Sequence, residues 1–421
     1  MARAWPLRSW PAEREHLVAD DAEIASPRDA SKETPWPAIG ALVLTLGAFS
    51  VGGGFLFPAS AFRLDQLGYS PTIIGAVGSA GALGYMAGSL LAPLVAGRLG
   101  LRVGATLGIL VTAALILAFA LVPPVLAWYP LRFVHGVANT VLFVCGETAI
   151  ITVAPAAMRG RIVGLYTAVN SLFFALGPGV IGLFGFASLA PYALVAAAVG
   201  LLAVPMTRLG SVTPELAPVP WRRLAIAVGT IPSLLAVVAI WGWLDGSMIN
   251  LFAVYAIKRG VSVPEAAFLF SLGPIGNTLL QFPIGWLADH LPRRMLLAGL
   301  AATGCVMAML LPLIDFGGTL VVPFLVLFSA VGFGTFTVAL VALGDALTGT
   351  ALVAANAAFG LCWGVGSFAG SAGTGGLMDI LGPAGFPLAL AAGFLVQSVA
   401  VLVLPQQPAA SAKMNAQETP P

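Results

Sequence analysis

The sequence predicts an all-α integral membrane protein in which two parallel six-helix bundles, twelve transmembrane helices together, surround a central cavity. Three observations carry that expectation: a composition too apolar to face water, a division into about a dozen apolar stretches, and a repeat that maps one half onto the other. Of 421 residues, 59% are hydrophobic and only 9% charged, with a mean hydropathy of +0.98. A surface in water needs roughly 25% charged residues, so the outer face of this chain has to be lipid. At about 20 apolar residues per crossing, the length suits about a dozen helices.

Gly, Pro and charge cut the apolar region into spans near 37–62, 71–97, 101–123, 126–153, 160–186, 189–207, 224–256, 264–288, 294–314, 319–344, 350–377 and 383–404. Several exceed the minimum of about 20 residues, which implies tilt or bending, and "VGGGFLFP" (51–58) marks one place to bend. Residues 1–35 hold seven acids and five basic residues with no apolar run. A secretory signal would be shorter and less acidic, so this stretch reads as a disordered cytoplasmic tail, as does 406–421. The expected domains are then a first bundle over 36–207, a polar, Pro-bearing cytoplasmic linker over 208–223, and a second bundle over 224–405.

A shift of 192 residues lays "APLVAGRLGLR" (92–102) on "IGWLADHLPRR" (284–294), with Arg102 on Arg294 and Arg98 on His290. "GYS" (68–70) falls on "GVS" (260–262), and each serine stands where it can cap the helix that follows. Parallel halves around a cavity, with substrate near the midplane, are a transporter architecture.

Lys and Arg in the loops set the orientation. With the amino terminus inside, 15 of them fall on the inner side and only Arg63, Lys258 and Arg259 on the outer; Arg132 stays within a span. Both termini are therefore expected in the cytoplasm, and the protein in a bacterial inner membrane. Arg293 and Arg294 serve as positive-inside anchors, but Asp289, at the inner end of its helix, faces the negative end of that helix's dipole. It needs a partner: one of those arginines, or the amino end of the eleventh helix near Thr350.

The sequence speaks against covalent chemistry. Cys145, Cys305 and Cys362 sit singly in apolar runs and read as buried free thiols; no CxxC or His/Cys metal spacing occurs. There is no phosphate loop, and no nucleophile elbow following a strand. No catalytic residue, metal or cofactor is expected, and the net charge of +2 carries no argument for a nucleic-acid partner. The expected partners are a small-molecule substrate and the bilayer, with the chain as a monomer.

"GWLADHLPRR" (285–294) resembles the signature of the major facilitator superfamily between the second and third helices of a half: Gly285, Asp289 four residues on, then Arg293 and Arg294. The resemblance covers about residues 37–405. It implies that this acid and these bases lock the cytoplasmic helix ends while the outer side is open. The first-half copy keeps Arg98 and Arg102 but departs at Pro93 and Gly97, where the glycine and the acid would stand. "RFVHGVAN" (132–139) resembles the family's fourth-helix signature. "GETAIITVAPAAMRGRIVGLY" (146–166), with Arg159, Gly160 and Arg161, resembles a pattern of the YcaD-like branch. "GPGVIG" (177–182) matches the antiporter signature only in part, which leans slightly toward export.

Charges inside spans cost about 3 kcal/mol each on insertion scales and are functional candidates by default. Arg132, His135 and Asn139 share one face of the fourth helix, either lining the cavity or making a structural contact between helices. Glu147 lies deeper and reads either as a coupling site or as a partner of Arg159 or Arg161. Asp245 matches Arg132 in depth and reads as a proton or substrate site, or as a polar contact. The resemblance implies that the first, fourth, seventh and tenth helices line the cavity. Trp241, Asp245, Met248 and Phe252 fall on one face of the seventh, with Asn250 near it; Asn170, Asn277, Gln281 and Trp363 are further cavity candidates.

The leading function is secondary active transport of a small organic solute by alternating access, proton-coupled, with export slightly favoured. An importer or uniporter of a metabolite is the alternative, and a membrane-embedded receptor or enzyme a distant one. The orientation is testable with an impermeant thiol reagent on intact cells, in a background lacking the native cysteines. A cysteine at position 259 should label and one at position 215 should not; the reverse pattern would invert the topology.

Overall fold

A computed structural model describes residues 36–123, 125–155, 158–208, 231–346 and 349–404. The expected tails, 1–35 and 406–421, lie outside the described residues, as do the linker 208–223 beyond Arg208 and the stretch 224–230 at the head of the seventh span. Among the described residues the chain is helical, without strands.

The first bundle comprises α1 (Trp36–Gln66), α2 (Pro71–Leu99), α3 (Leu101–Leu121), α4 (Trp128–Val153), α5 (Arg159–Phe184) and α6 (Leu189–Leu201), which continues as a short helix, Ala203–Arg208. The second comprises α7 (Pro232–Lys258), α8 (Val263–His290), α9 (Arg293–Leu310), α10 (Val321–Ala346), α11 (Gly349–Leu381) and α12 (Gly385–Val403). Among the described residues, eleven stretches are long and apolar enough to cross a membrane. The last, Ala355–Val403, contains most of α11 and all of α12, separated by the 3-10 turn Gly382–Ala384. The expected twelve crossings depend on dividing it there.

Prolines explain where helices depart from the expected boundaries. The span expected over 189–207 is broken at Leu202, because Pro205 cannot donate to the carbonyl four residues back and its ring clashes there. The ninth span, expected to reach 314, leaves α-helix at Leu310, and Pro312 sits in the 3-10 turn that follows. Serine caps stand where the sequence placed them. Ser70 accepts from the Ile73 amide, and Ser262 forms a full capping box with Glu265. Of the three thiols expected to be buried, only Cys145 is fully so; Cys305 and Cys362 are half-buried.

The repeat reappears in the packing. Contacts of α1 with α5, α2 with α4 and α3 with α6 are matched by α7 with α11, α8 with α10 and α9 with α12. Between bundles, α2 meets α11 and α5 meets α8, a pair exchanged by the same correspondence. Lipid gives no hydrophobic drive for helices to associate, so close packing has to supply it. Glycines permit that closeness. A Cβ on Gly54 would lie 2.0 Å from the Phe174 carbonyl oxygen of α5, and one on Gly366 would lie 1.8 Å from the Ala239 oxygen of α7.

The bundles are tied near one end, where the loops 67–70 and 259–262 lie. Lys258 pairs with Asp65 at 3.8 Å, the Thr72 amide donates to Asp379 at 3.2 Å, and Ser79 donates to the Phe368 carbonyl at 2.7 Å. At the other end Arg293 and Arg294 stay within the second bundle. Arg293 pairs with Asp345 of α10 at 3.1 Å, and Arg294 donates to the Val401 and Leu402 carbonyls of α12. Asp289 is exposed there and makes no ion pair among the described residues. Its expected partnership with either arginine is therefore absent, because both guanidiniums are committed to neighbouring helices. The Thr350 side chain lies outside the described residues.

Two outcomes follow. Gly366→Val forces a branched side chain into α7 and should destabilise the protein by about 1–3 kcal/mol. Gly97→Ala, where nothing lies within 4 Å, should leave the melting midpoint in detergent unchanged; equal midpoints for both would refute the packing argument. Lys258→Gln should loosen the tied end. The side chains of the pair are 36% and 22% exposed, so the effect is at most about 1 kcal/mol. It reads as a few-fold rise in thiol labelling of cavity cysteines from that side, and no rise would make the pair incidental.

Candidate functional site

A cavity of about 430 Å³ lies between the bundles, within the range of roughly 300–1,000 Å³ that small-molecule sites occupy. Its walls come from the middles of α1, α4 and α5 on one side and α7, α8, α10, α11 and α12 on the other. Eight phenylalanines and two tryptophans are among its 26 lining residues. Among the described residues, one in the lining is ionisable in the neutral range or below: Asp245.

Local sequence explains how Asp245 is held. It stands on α7 between Gly242 and Gly246, whose missing side chains let α11 press in. A Cβ at Gly242 would meet the Trp363 backbone at 2.2 Å, and one at Gly246 the Ser367 side chain at 2.5 Å. That proximity brings the Trp363 indole N–H to the carboxylate, donating to Oδ2 at 3.0 Å. The same indole meets the Tyr85 ring of α2, centroids 4.6 Å apart. Asp245 is 9% exposed, and no Lys, Arg or His forms an ion pair with it among the described residues.

Trp241 and Met248 line the cavity beside Asp245, as their shared helical face predicts. Asn250 and Phe252 do not. Asn250 donates to the Gly246 carbonyl and to Ser371, both at 3.0 Å, in the packing of α7 against α11. Phe252 lies farther along α7, with its ring against Phe316 and Phe386. Of the other candidates, Asn139, Asn170, Asn277 and Trp363 line the cavity. Gln281 stands one turn beyond, donating to Asn277 and accepting from Thr337.

Arg132 and His135 are placed behind the wall. The Arg132 guanidinium lies 4.7 Å from the Phe57 ring centroid and 5.5 Å from that of Phe119. It donates to the Leu56 carbonyl and to Ser60, while its Nε and Nη1 have no partner among the described residues. The His135 ring meets the edge of Phe57 and contacts the Asn139 amide at 3.3 Å. Phe57 therefore screens both from the cavity. Helical spacing put the three residues on one face but could not show that only Asn139 reaches the lumen.

Glu147 does not line the cavity. Its carboxyl neighbours the Tyr166 hydroxyl of α5 without a hydrogen bond of regular geometry. It makes no ion pair with Arg161, which is exposed; the side chains of Arg159 and Gly160 lie outside the described residues. Arg98 and Arg102 are exposed at the end of the bundle opposite the tied one, and Gly285 is half-buried on α8.

The sequence reading missed Ser50, Thr167, Ser171 and Ser329, which line the cavity, and above all its phenylalanine wall. The signal available was compositional: 24 Phe against 9 Trp and 6 Tyr, with no periodicity to separate lumen-facing rings from lipid-facing ones.

The family model described as "Major Facilitator Superfamily" matches residues 41–371 and again 235–420. The MFS-type transporter YfkF of Bacillus subtilis (strain 168), named as uncharacterized, is 25% identical over 352 residues, covering 80% of this chain and 88% of its own. YcaD of Escherichia fergusonii, named likewise, is 26% identical over 314 residues, covering 73% and 80%. Among solved structures, the nucleoside transporter NupG superposes with a TM-score of 0.70 at 16% identity, over 87% of this chain and 98% of that one. A bacterial homologue of the human lysosomal transporter Spinster, inward-facing and unoccupied, gives 0.68 at 13% identity, over 88% and 96%. At those identities the structures speak for the fold alone. The match of the family model over most of the chain decides the matter: this protein belongs to the major facilitator superfamily.

Proposed function

We propose that this secondary transporter moves a small organic solute by alternating access, coupled to protons through Asp245, with export as the working direction. The carrying observation is that one carboxylate, Asp245, stands in a wall whose other described side chains are neutral. Among apolar helices the charged form of a carboxylate is disfavoured, and any change in its hydration or partners alters its hold on a proton. Alternating access makes such a change once per cycle. The groups facing Asp245 are the Trp363 N–H of α11 and, across that indole, Tyr85 of α2. Glu147 of α4 also lies in the field of Tyr85.

With the tied end taken as the outer one, the described state is closed outside. Both bundles are then expected to swing so that Asp289, together with Gly285, Arg293, Arg294, Arg98 and Arg102, closes the inner end in the opposite state. Arg293 would exchange Asp345 for that gate. The exposed Asp289 supports this reading, since its dipole position leaves it in need of a partner.

Transport in proteoliposomes under an imposed pH difference tests the coupling. Asp245→Asn should lose accumulation against a gradient yet keep exchange, whereas Glu147→Gln should keep accumulation. Asp289→Asn should raise thiol access from the inner side. Wild-type transport that ignores the pH difference, with Asp245→Asn still concentrating solute, would refute proton coupling here and favour the uniporter reading.

A further inference from the structure

The cavity's lining carries a statement about what it accepts. We infer that its substrates are flat aromatic monocations, with the positive charge set against Asp245 and the rings against the phenylalanine wall. The inference rests on the reading of this cavity as the transport site.

Three features of the lining support it. First, the charge is one-sided. No Lys, Arg or His is among the described lining residues, and the Arg132 guanidinium and the His135 ring behind them are covered by Phe57. An anionic solute would meet Asp245 and find no counter-charge. Second, some of the polar groups are spent on one another. Ser50 donates to Asn170, Gln281 donates to Asn277, and the Trp363 N–H is taken by Asp245 Oδ2. Each such pair leaves one donor or acceptor fewer for a polyhydroxylated solute, whose every hydroxyl must be matched on leaving water. Third, the second carboxylate oxygen, Asp245 Oδ1, has no hydrogen-bond partner among the described residues. It is an acceptor left open in a wall of rings.

The aromatic wall matches such a cation. Phe57, Phe174 and Phe270 form a file with successive centroids 6.3 and 6.1 Å apart and planes tilted by 33° and 32°. The file crosses from the first bundle to the second. On α7 and α10, Trp241 lies against Phe333 at 4.8 Å. Ring faces attract cations, more strongly where water is excluded, and ring edges and faces pack well against a planar aromatic. A buried carboxylate is costly alone and is offset by a cation beside it. A proton also offsets it, so substrate and proton compete for one group.

The test compares three probes built on fused aromatic rings, by equilibrium dialysis with the purified full chain in detergent at neutral pH. They are N-methylquinolinium as the cation, quinoline as the neutral form and 2-naphthoate as the anion. N-methylquinolinium should bind at least about ten-fold more tightly than either comparator, in line with a charge-assisted contact of about 1.5–3 kcal/mol. In Asp245→Asn that preference should vanish, while quinoline binding persists and reports that the cavity is intact. Naphthoate binding as tightly as the cation, an unchanged cation affinity in Asp245→Asn, or no cation binding up to millimolar concentration would each overturn the inference. The wild-type ranking stands as a test even if the variant fails to fold. Because no gradient is imposed, failure here leaves proton coupling untouched, and failure of proton coupling leaves the ranking untouched.

Discussion

Contact between helix backbones at glycine is the constraint on which the remaining structure depends. Lipid rewards helix association no more than it rewards a helix left alone, so two helices stay together only where packing is tight. Gly54 and Gly177 let α1 and α5 touch; Gly242, Gly246, Gly366 and Gly370 do the same for α7 and α11. The second contact is also what delivers Trp363 to Asp245. Stability and site geometry are thus set by the same missing side chains, and the residues around the carboxylate are fixed by backbone rather than by rotamer.

The two halves repeat in their packing but not in their chemistry. The first half carries a buried guanidinium, Arg132, in a sleeve of aromatic rings and carbonyls; the second carries the lumen carboxylate. The signature of acid and arginines appears in full only in the second half, and its arginines are bonded inside that half. The repeat supplies a scaffold with matched helix pairs, and the ionisable groups distribute over it without regard to the symmetry.

Much of this was legible in the sequence. The spans followed from apolar length, and the serine caps at Ser70 and Ser262 from residue type and position. Asp245 was legible as a candidate because charge inside a span is expensive, and it lines the cavity. What sequence could not resolve was the facing of each side chain. A helix in a membrane is apolar all round, so periodicity does not separate lumen from lipid. That is why the phenylalanine wall went unread, why Arg132 and His135 were grouped with the lumen-facing Asn139, and why Asn250 and Phe252 were grouped with Trp241 and Asp245. The break in α6 was readable in principle from Pro205, but apolar length concealed it.

The indole of Trp363 has a consequence for how parts of the molecule can move. One edge is pinned by the carboxylate of its own bundle, and its ring leans on a tyrosine of the other. A rigid plate held at two points has no torsion that preserves both contacts while the supports separate. Sliding of α2 past α11 therefore has to disturb either the Tyr85 contact or the bond to Asp245. A single aromatic side chain thus ties the position of one bundle to the hydrogen bonding of a carboxylate in the other.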